Sequence, residues 1–197
     1  PAMLWAAELP LPERVWAHGF VQLGGERFSK SAGVKLDLSE AVDRYGPDAF
    51  RYFLLREVPF DTDGNFSWER FEERYAADLA NGFGNLASRT IAMIEKYRGA
   101  IVPSAPLNEL DAADSADMTS YDAAMRENLP NRALDHVWAT VARGNEYVDR
   151  QAPWKLAKDP ARQDELDATL AALARQLARQ AVVLSPFKYW YSGLASA

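Results

Sequence analysis

The clearest pattern in the chain is a core-facing repeat at close to the helical period, formed by Phe71, Tyr75, Leu79, Phe83, Leu86, Thr90, Met93 and Tyr97. Ser67 stands before it as a cap and Gly99 after it as a stop, so one long helix is predicted between them. Further helices are predicted at about 120–128, 131–151 and 162–184, the last carrying Leu166, Leu170, Leu173, Leu177 and Leu184 as the seam of a helical bundle. The stretch from Gly99 to about Ala116 holds Pro103, Pro106, small residues and acids, and reads as a surface loop.

Ahead of the long helix the period changes. Met3 to Glu8 reads as a short helix stopped by Pro10 and Pro12, and Val15 to Leu23 as a strand, the last of a parallel sheet whose other strands are absent. Asp37-Leu-Ser-Glu40 has capping-box spacing and opens a helix to Tyr45; Gly46-Pro47 closes it and opens a second helix to about Glu57. Val58 to Asn65 is left as a connection. The fold class expected is mainly α, a helical bundle preceded by the last strand and a loop of a truncated Rossmann-like domain.

The 197 residues, 48% of them hydrophobic, are enough for one good core or two small ones. No apolar run is long enough to span a bilayer, so no membrane partner is expected, and without cysteine there are no disulfides or thiolate metal sites. A cytoplasmic setting fits these absences. The net charge of −6 disfavours nucleic acid at long range, but it is unevenly spread. Acids fill 109–122, whereas Arg126, Arg132, Arg143, Arg150, Lys155, Lys158 and Arg162 dominate the following stretch and leave room for a local basic face. The chain opens on Pro1, and Pro1 to Trp5 reads like the middle of an element, so a fragment or a processed chain is expected.

Three stretches offer chemistry. Arg27-Phe-Ser-Lys-Ser31 is a hydroxyl-rich loop with two cations and glycines at 24, 25 and 33; it reads either as a phosphate loop or as a solvated turn. Asn85 and Arg89, four apart on the long helix, share one face about a hundred degrees from Leu86 and Thr90, where an amide beside a guanidinium could read a base edge or hold a phosphate. In Gln151-Ala-Pro-Trp154, Pro153 sets a tryptophan at a helix boundary, either to plug a core or to stack an unpaired base. His18, with Gly19 beside it, reads either as a satisfied core group or as a ligand at the carboxyl end of a strand.

Taken together, Trp16-Ala-His-Gly-Phe20, Gly24 to Ser31 and Ala41 to Phe53 resemble the signature region of class I aminoacyl-tRNA synthetases, with Arg27 and Phe28 in place of the usual lysine and methionine. Asn85-Leu-Ala-Ser-Arg89 with Gln151-Ala-Pro-Trp154 narrows the resemblance to the methionyl-tRNA synthetases, over about Trp5 to Phe187. The resemblance implies a C-terminal part of such an enzyme, divided into a catalytic remnant (1–25), signature loop and linking helices (26–66) and an anticodon-binding bundle (67–197). It implies that Lys30, assisted by Arg27, steadies the pyrophosphate leaving group, and that Ser29, Ser31, His18 and Gly19 line the ATP site. Asn85, Arg89 and Trp154 would contact the anticodon.

The partners implied are ATP with Mg2+, a methionine tRNA with a CAU anticodon, and an upstream catalytic half; no metal ligands are expected in this chain. That half would cover apolar residues around Trp5, Val15 and Phe20. Without it the chain is not expected to activate methionine. Two other readings stay open: a non-catalytic RNA-binding module related to synthetases, and a helical protein-interaction domain.

Overall fold

The computed structural model describes residues 1–23, 26–27, 38–60 and 62–187. A short exposed helix, α1 (Ala2–Ala6), leads into irregular chain and then β1 (Val21–Leu23). β1 lies between β2 (Glu26–Arg27), to which it is antiparallel, and β3 (Gly64–Phe66), to which it is parallel, with Val21 opposite Gly64 and Leu23 opposite Phe66. The strand expected over Val15 to Leu23 is therefore confined to its last three residues. Its parallel partner is only three residues long, and a ladder extends no further than its partner.

The linking helices form α2 (Leu38–Glu57), broken at Gly46, whose φ of 83° and ψ of 159° interrupt the helical path just ahead of Pro47. Asp37 of the expected capping box lies outside the described residues. The second half of α2 turns Phe53 into an aromatic cluster with Phe66 and Phe71, at ring separations of 5.4 and 5.2 Å. Tyr52, buried beside it, donates to Asp78 Oδ2 at 2.5 Å; burial first, then this bond to a carboxylate, push its phenol up. α2 is thus tied both to the sheet and to the long helix.

That long helix runs without interruption through α3 (Trp68–Arg74), a π-helical stretch (Tyr75–Gly84) and α4 (Asn85–Arg98). Its ends are as expected: the Ser67 hydroxyl accepts from Arg70 N at 3.2 Å, and Gly99 takes the left-handed conformation at φ 58°. The π winding changes the phase of the core face. Phe71 is buried but Tyr75 is exposed; Leu86 and Thr90 are buried, and Ile94 then takes the inward position expected of Met93.

The bundle is completed by α5 (Glu109–Arg126), α6 (Pro130–Gln151), α7 (Pro153–Leu156) and α8 (Gln163–Leu184). α6 and α8 match the sequence pattern, and Leu166, Leu170, Leu173 and Leu184 are buried as the seam predicts. The surface loop expected to Ala116 ends at Asn108, and the helix expected at about 120–128 begins earlier, at Glu109, as α5. Asn108 caps it, accepting from Leu110 N while Asp111 accepts from Asn108 N. The acids that suggested solvent point inward: Asp111 and Asp114 are buried and meet Arg175 and Arg179 of α8 at 2.6–3.0 Å, and Arg143 of α6 reaches Asp114 at 3.2 Å. Gln176, fully buried, donates to Asp114 and to the Thr140 carbonyl.

Two tests follow from this packing. A Cβ on Gly144 of α6 would stand 2.1 Å from Gln176 Oε1 and 2.7 Å from Leu86 Cδ2, so Gly144→Ala is expected to cost about 1–3 kcal/mol, read as a lowered midpoint in thermal unfolding. Burial alone would raise the Asp111 pKa, but bonds from Arg175, Asn108 N and Arg179 outweigh it and bring the carboxyl from 3.8 down to about 2. Its contribution of roughly 2 kcal/mol is complete above its unfolded value and lost as pH falls toward 2. Denaturant titrations from pH 5 to 2 should show a steep acid loss that is shallower in Asp111→Asn.

Candidate nucleic-acid interface and signature region

Asn85 and Arg89 open α4 on the side facing α6. The Asn85 amide donates to Asn145 Oδ1 at 3.4 Å, a long bond, and Asn145 in turn donates to the carbonyls of Val141 and Gly82. Arg89 Nη2 donates to Asp149 Oδ1 at 2.6 Å. Asn145 and Asp149 are themselves four apart on α6, so the two helices present matched pairs along one edge. Sequence reasoning found the α4 pair and missed the α6 pair, although its spacing was the available signal. The Asp149 side chain is 66% exposed, and an ion pair open to water is worth about 0–1 kcal/mol, so Arg89 is held in place but exchanges partners cheaply.

Just beyond Asp149 the chain bends. Ala152 adopts the left-handed conformation at φ 46°, which costs a non-glycine residue roughly 1–2 kcal/mol, and Pro153 opens α7. Pro153 and Leu156 are buried, Leu156 in a cluster with Ile94, Leu166 and Leu170. Trp154 between them keeps 39% of its surface exposed, so it does not plug the core. The bend anchors its neighbours and leaves the indole accessible. Asn85, Arg89 and Trp154 therefore fall on elements that meet at one end of the bundle.

Charge follows the same division. Of the cations expected to form a basic face, Arg126 pairs with Asp122, Arg143 with Asp114 and Asp117, Arg150 with Glu109 and Arg162 with Glu165. Three of those seven cations are thus neutralised by acids of α5, and Arg162 by an acid of α8. Among the described residues Lys155, within α7, and Lys158, just after it, are both exposed and have no acidic partner.

In the signature region Ser29, Lys30 and Ser31 lie outside the described residues, as do Gly24, Gly25, Phe28 and Gly33. Arg27 enters as a backbone position of β2, opposite Gln22. His18 is exposed, and its Nδ1 donates to the Gly19 carbonyl at 2.7 Å, leaving Nε2 for another partner. Its ring meets Phe60 edge-on at 6.1 Å, and Trp16 meets the same ring at 6.5 Å. Asp63 clasps the next residues, accepting from Phe20 N at 2.8 Å and Gln22 Nε2 at 3.0 Å. No group of three His, Cys, Asp or Glu able to hold a metal occurs among the described residues, and no helix there is long and apolar enough to cross a membrane.

Comparison with known proteins bears on both regions. A family model described as "tRNA synthetases class I (M)" matches residues 1–91. Methionine–tRNA ligases of Bacillus subtilis and Caldanaerobacter subterraneus are each 43% identical to the chain over 95% of its length. The chain belongs to the methionyl-tRNA synthetase family. The structure of Mycobacterium tuberculosis methionyl-tRNA synthetase in complex with methionyl-adenylate superposes with a TM-score of 0.85 at 35% identity, covering 95% of this chain and 38% of that one. The chain spans about 29% of the B. subtilis methionine–tRNA ligase. The match takes in both the three-stranded sheet and most of the helical bundle.

The clasp around His18 makes a specific demand on Gly19. A Cβ there would stand 1.8 Å from the Thr62 carbonyl oxygen, a backbone atom unable to move without parting β1 from β3. Gly19→Ala is expected to release this segment, seen as faster amide exchange at Phe20 and Gly64 with the α6 and α8 amides still protected.

Proposed function

We propose that the chain is the C-terminal portion of a methionine–tRNA ligase, binding the tRNA anticodon through Asn85, Arg89 and Trp154 and supplying the signature loop for methionyl-tRNA formation. The observation that carries the reading is the half-exposed Trp154 at the same bundle end as the exchangeable Arg89–Asp149 pair. An indole face stacks an unpaired base, a guanidinium and an amide hydrogen-bond its edge, and Lys155 and Lys158 supply positive charge beside them.

In this reading residues 1–25 are the end of the catalytic domain, 26–66 join it to the bundle, and 67–197 are the anticodon-binding domain. The upstream catalytic half covers the exposed Met3, Trp5, Val15 and Phe20. Lys30, with Arg27, serves the step in which methionine and ATP form the adenylate and release pyrophosphate; Ser29, Ser31, His18 and Gly19 face the nucleotide. Mg2+ would arrive on the ATP phosphates, to which hard cations bind through oxygen. The free Nε2 of His18 and the close-packed backbone at Gly19 suit a nucleotide edge. By itself the chain binds tRNA and does not activate methionine, because its loop lysine has no pocketed substrates to act on. A cytoplasmic setting accompanies this role.

The internal bonds of Asn85 and Arg89 favour one rival, a helical protein-interaction domain. The two readings separate on RNA. The chain should prefer an anticodon stem-loop bearing CAU over one with a changed first base, at two salt concentrations, and Trp154→Ala should weaken CAU binding about tenfold or more and abolish the preference. Binding indifferent to the anticodon, or no binding by folded protein, would overturn the proposal.

A further inference from the structure

A polar cleft of about 470 Å³ lies at the other end of α6, where Arg56 and Glu57 of α2, Asp63, Arg70 and Arg74 of α3, and Asp135 of α6 converge. Its carboxylates are already engaged. Glu57, with only 8% of its side chain exposed, accepts from Arg70 Nε at 2.5 Å on one oxygen and from Arg74 Nε on the other. Both Asp63 oxygens accept from the β1 segment, and Asp135 accepts from Arg56 Nη1 at 2.5 Å. Burial tends to raise the Glu57 carboxyl, yet its two arginines hold it below the usual carboxylate range, so it stays an anion and fixes both guanidiniums.

The donors are not used up. Each guanidinium carries five N–H groups in a rigid fork. Arg70 spends only its Nε among the described residues, Arg74 adds to its Nε bond a remote contact of 3.8 Å from Nη1 to Asp78, and Arg56 donates through Nη1, to Asp135 and the Asn131 carbonyl, while its buried Nε stands 3.9 Å from Asp78. Three planar forks are thus pinned by their Nε or Nη1 atoms with terminal N–H groups left over. That arrangement suits a tetrahedral oxyanion bound by several donors. Three arginines stand among four carboxylates, Glu57, Asp63 and Asp135 lining the cleft and Asp78 behind Arg56 and Arg74, so recognition here comes from fixed donors and not from net charge, and an isolated anion binds weakly.

We propose that this cleft binds a phosphate group, supplied in the functional complex by the RNA backbone away from the anticodon. The RNA part of the proposal rests on the tRNA-binding reading above. Asp135 stands 16 positions, roughly 24 Å at 1.5 Å per residue, from the end of α6 at Gln151, and Trp154 lies past the bend beyond it, so the cleft lies beyond the reach of a hairpin loop docked on Trp154 and within reach of a whole tRNA.

Arg70 is the residue to change, because it is half-exposed and its loss leaves Glu57 paired with Arg74. With the whole chain and a full-length methionine tRNA, Arg70→Gln should lower affinity about fivefold at 0.1 M salt and reduce the slope of log K against log salt by about 0.7–0.9, with Arg70→Lys retaining the slope but not all the affinity. The anticodon stem-loop should not feel the change, nor should tRNA feel Arg126→Gln on the far helix α5. Inorganic phosphate should shift the Arg70 and Arg74 Nε–H resonances of the wild-type chain. Unchanged tRNA affinity, or equal losses for tRNA and stem-loop, would overturn the RNA assignment; resonances unmoved by phosphate would overturn the cleft itself. If the wild-type chain binds no RNA but phosphate still moves these resonances, the RNA reading fails and the anion site stands.

Discussion

Two carboxylates buried in a helical interior dominate the architecture of the bundle. Asp111 and Asp114 of α5 cannot remain charged away from water unless donors surround them, and the donors come from Arg175, Arg179 and Gln176 of α8 and Arg143 of α6. Apolar burial alone would let α5 slide along its groove. The forked contacts fix its register against both neighbours. Arg175 extends the same hold outward, donating to the carbonyls of Ala105 and Pro106 and so fastening the segment that leads back from α4.

This arrangement explains how a chain of net charge −6 can still keep a local patch suited to the RNA contact proposed above. Glu109, Asp111, Asp114 and Asp117 reach α6 and α8, and they consume arginines that would otherwise add to a basic surface. What remains at the α4, α6 and α7 end is local: an exposed indole, two unpaired lysines, and an arginine whose partner is mostly in water. Specific contact there does not depend on long-range attraction, which the overall charge opposes. At the opposite end of α6 the cations are again bound to acids, but with their outer N–H groups unspent.

Elements whose signals are local were legible in the sequence. Ser67 and Gly99 mark the ends of the long helix because caps act within one turn, and the α6 and α8 stripes follow from periodicity. α5 was misread because an acid-rich stretch resembles solvated loop unless its partners are known, and those partners lie more than sixty residues away on α8. Val15 to Leu23 has strand composition along its length, but strand formation depends on a partner, and β3 offers three residues. The π winding between Tyr75 and Gly84 leaves no composition mark and accounts for Tyr75 falling off the inward face and for Met93 lying at its margin beside Ile94. Of the candidate site, the residue types and the i, i+4 spacing of Asn85 and Arg89 were readable; their α6 partners required the packing of one helix on another.

The central claim is that the end of the bundle carrying Asn85, Arg89 and Trp154 is the RNA face. Chemical-shift mapping of the isotope-labelled chain with a CAU anticodon stem-loop tests it most directly. The account predicts the largest changes at the Trp154 indole N–H, the Asn85 side-chain amide and the Arg89 Nε–H, with α5 and α8 nearly silent. Changes centred instead on the apolar groove between α5 and α8, at Met118, Tyr121 and Val182, would contradict it.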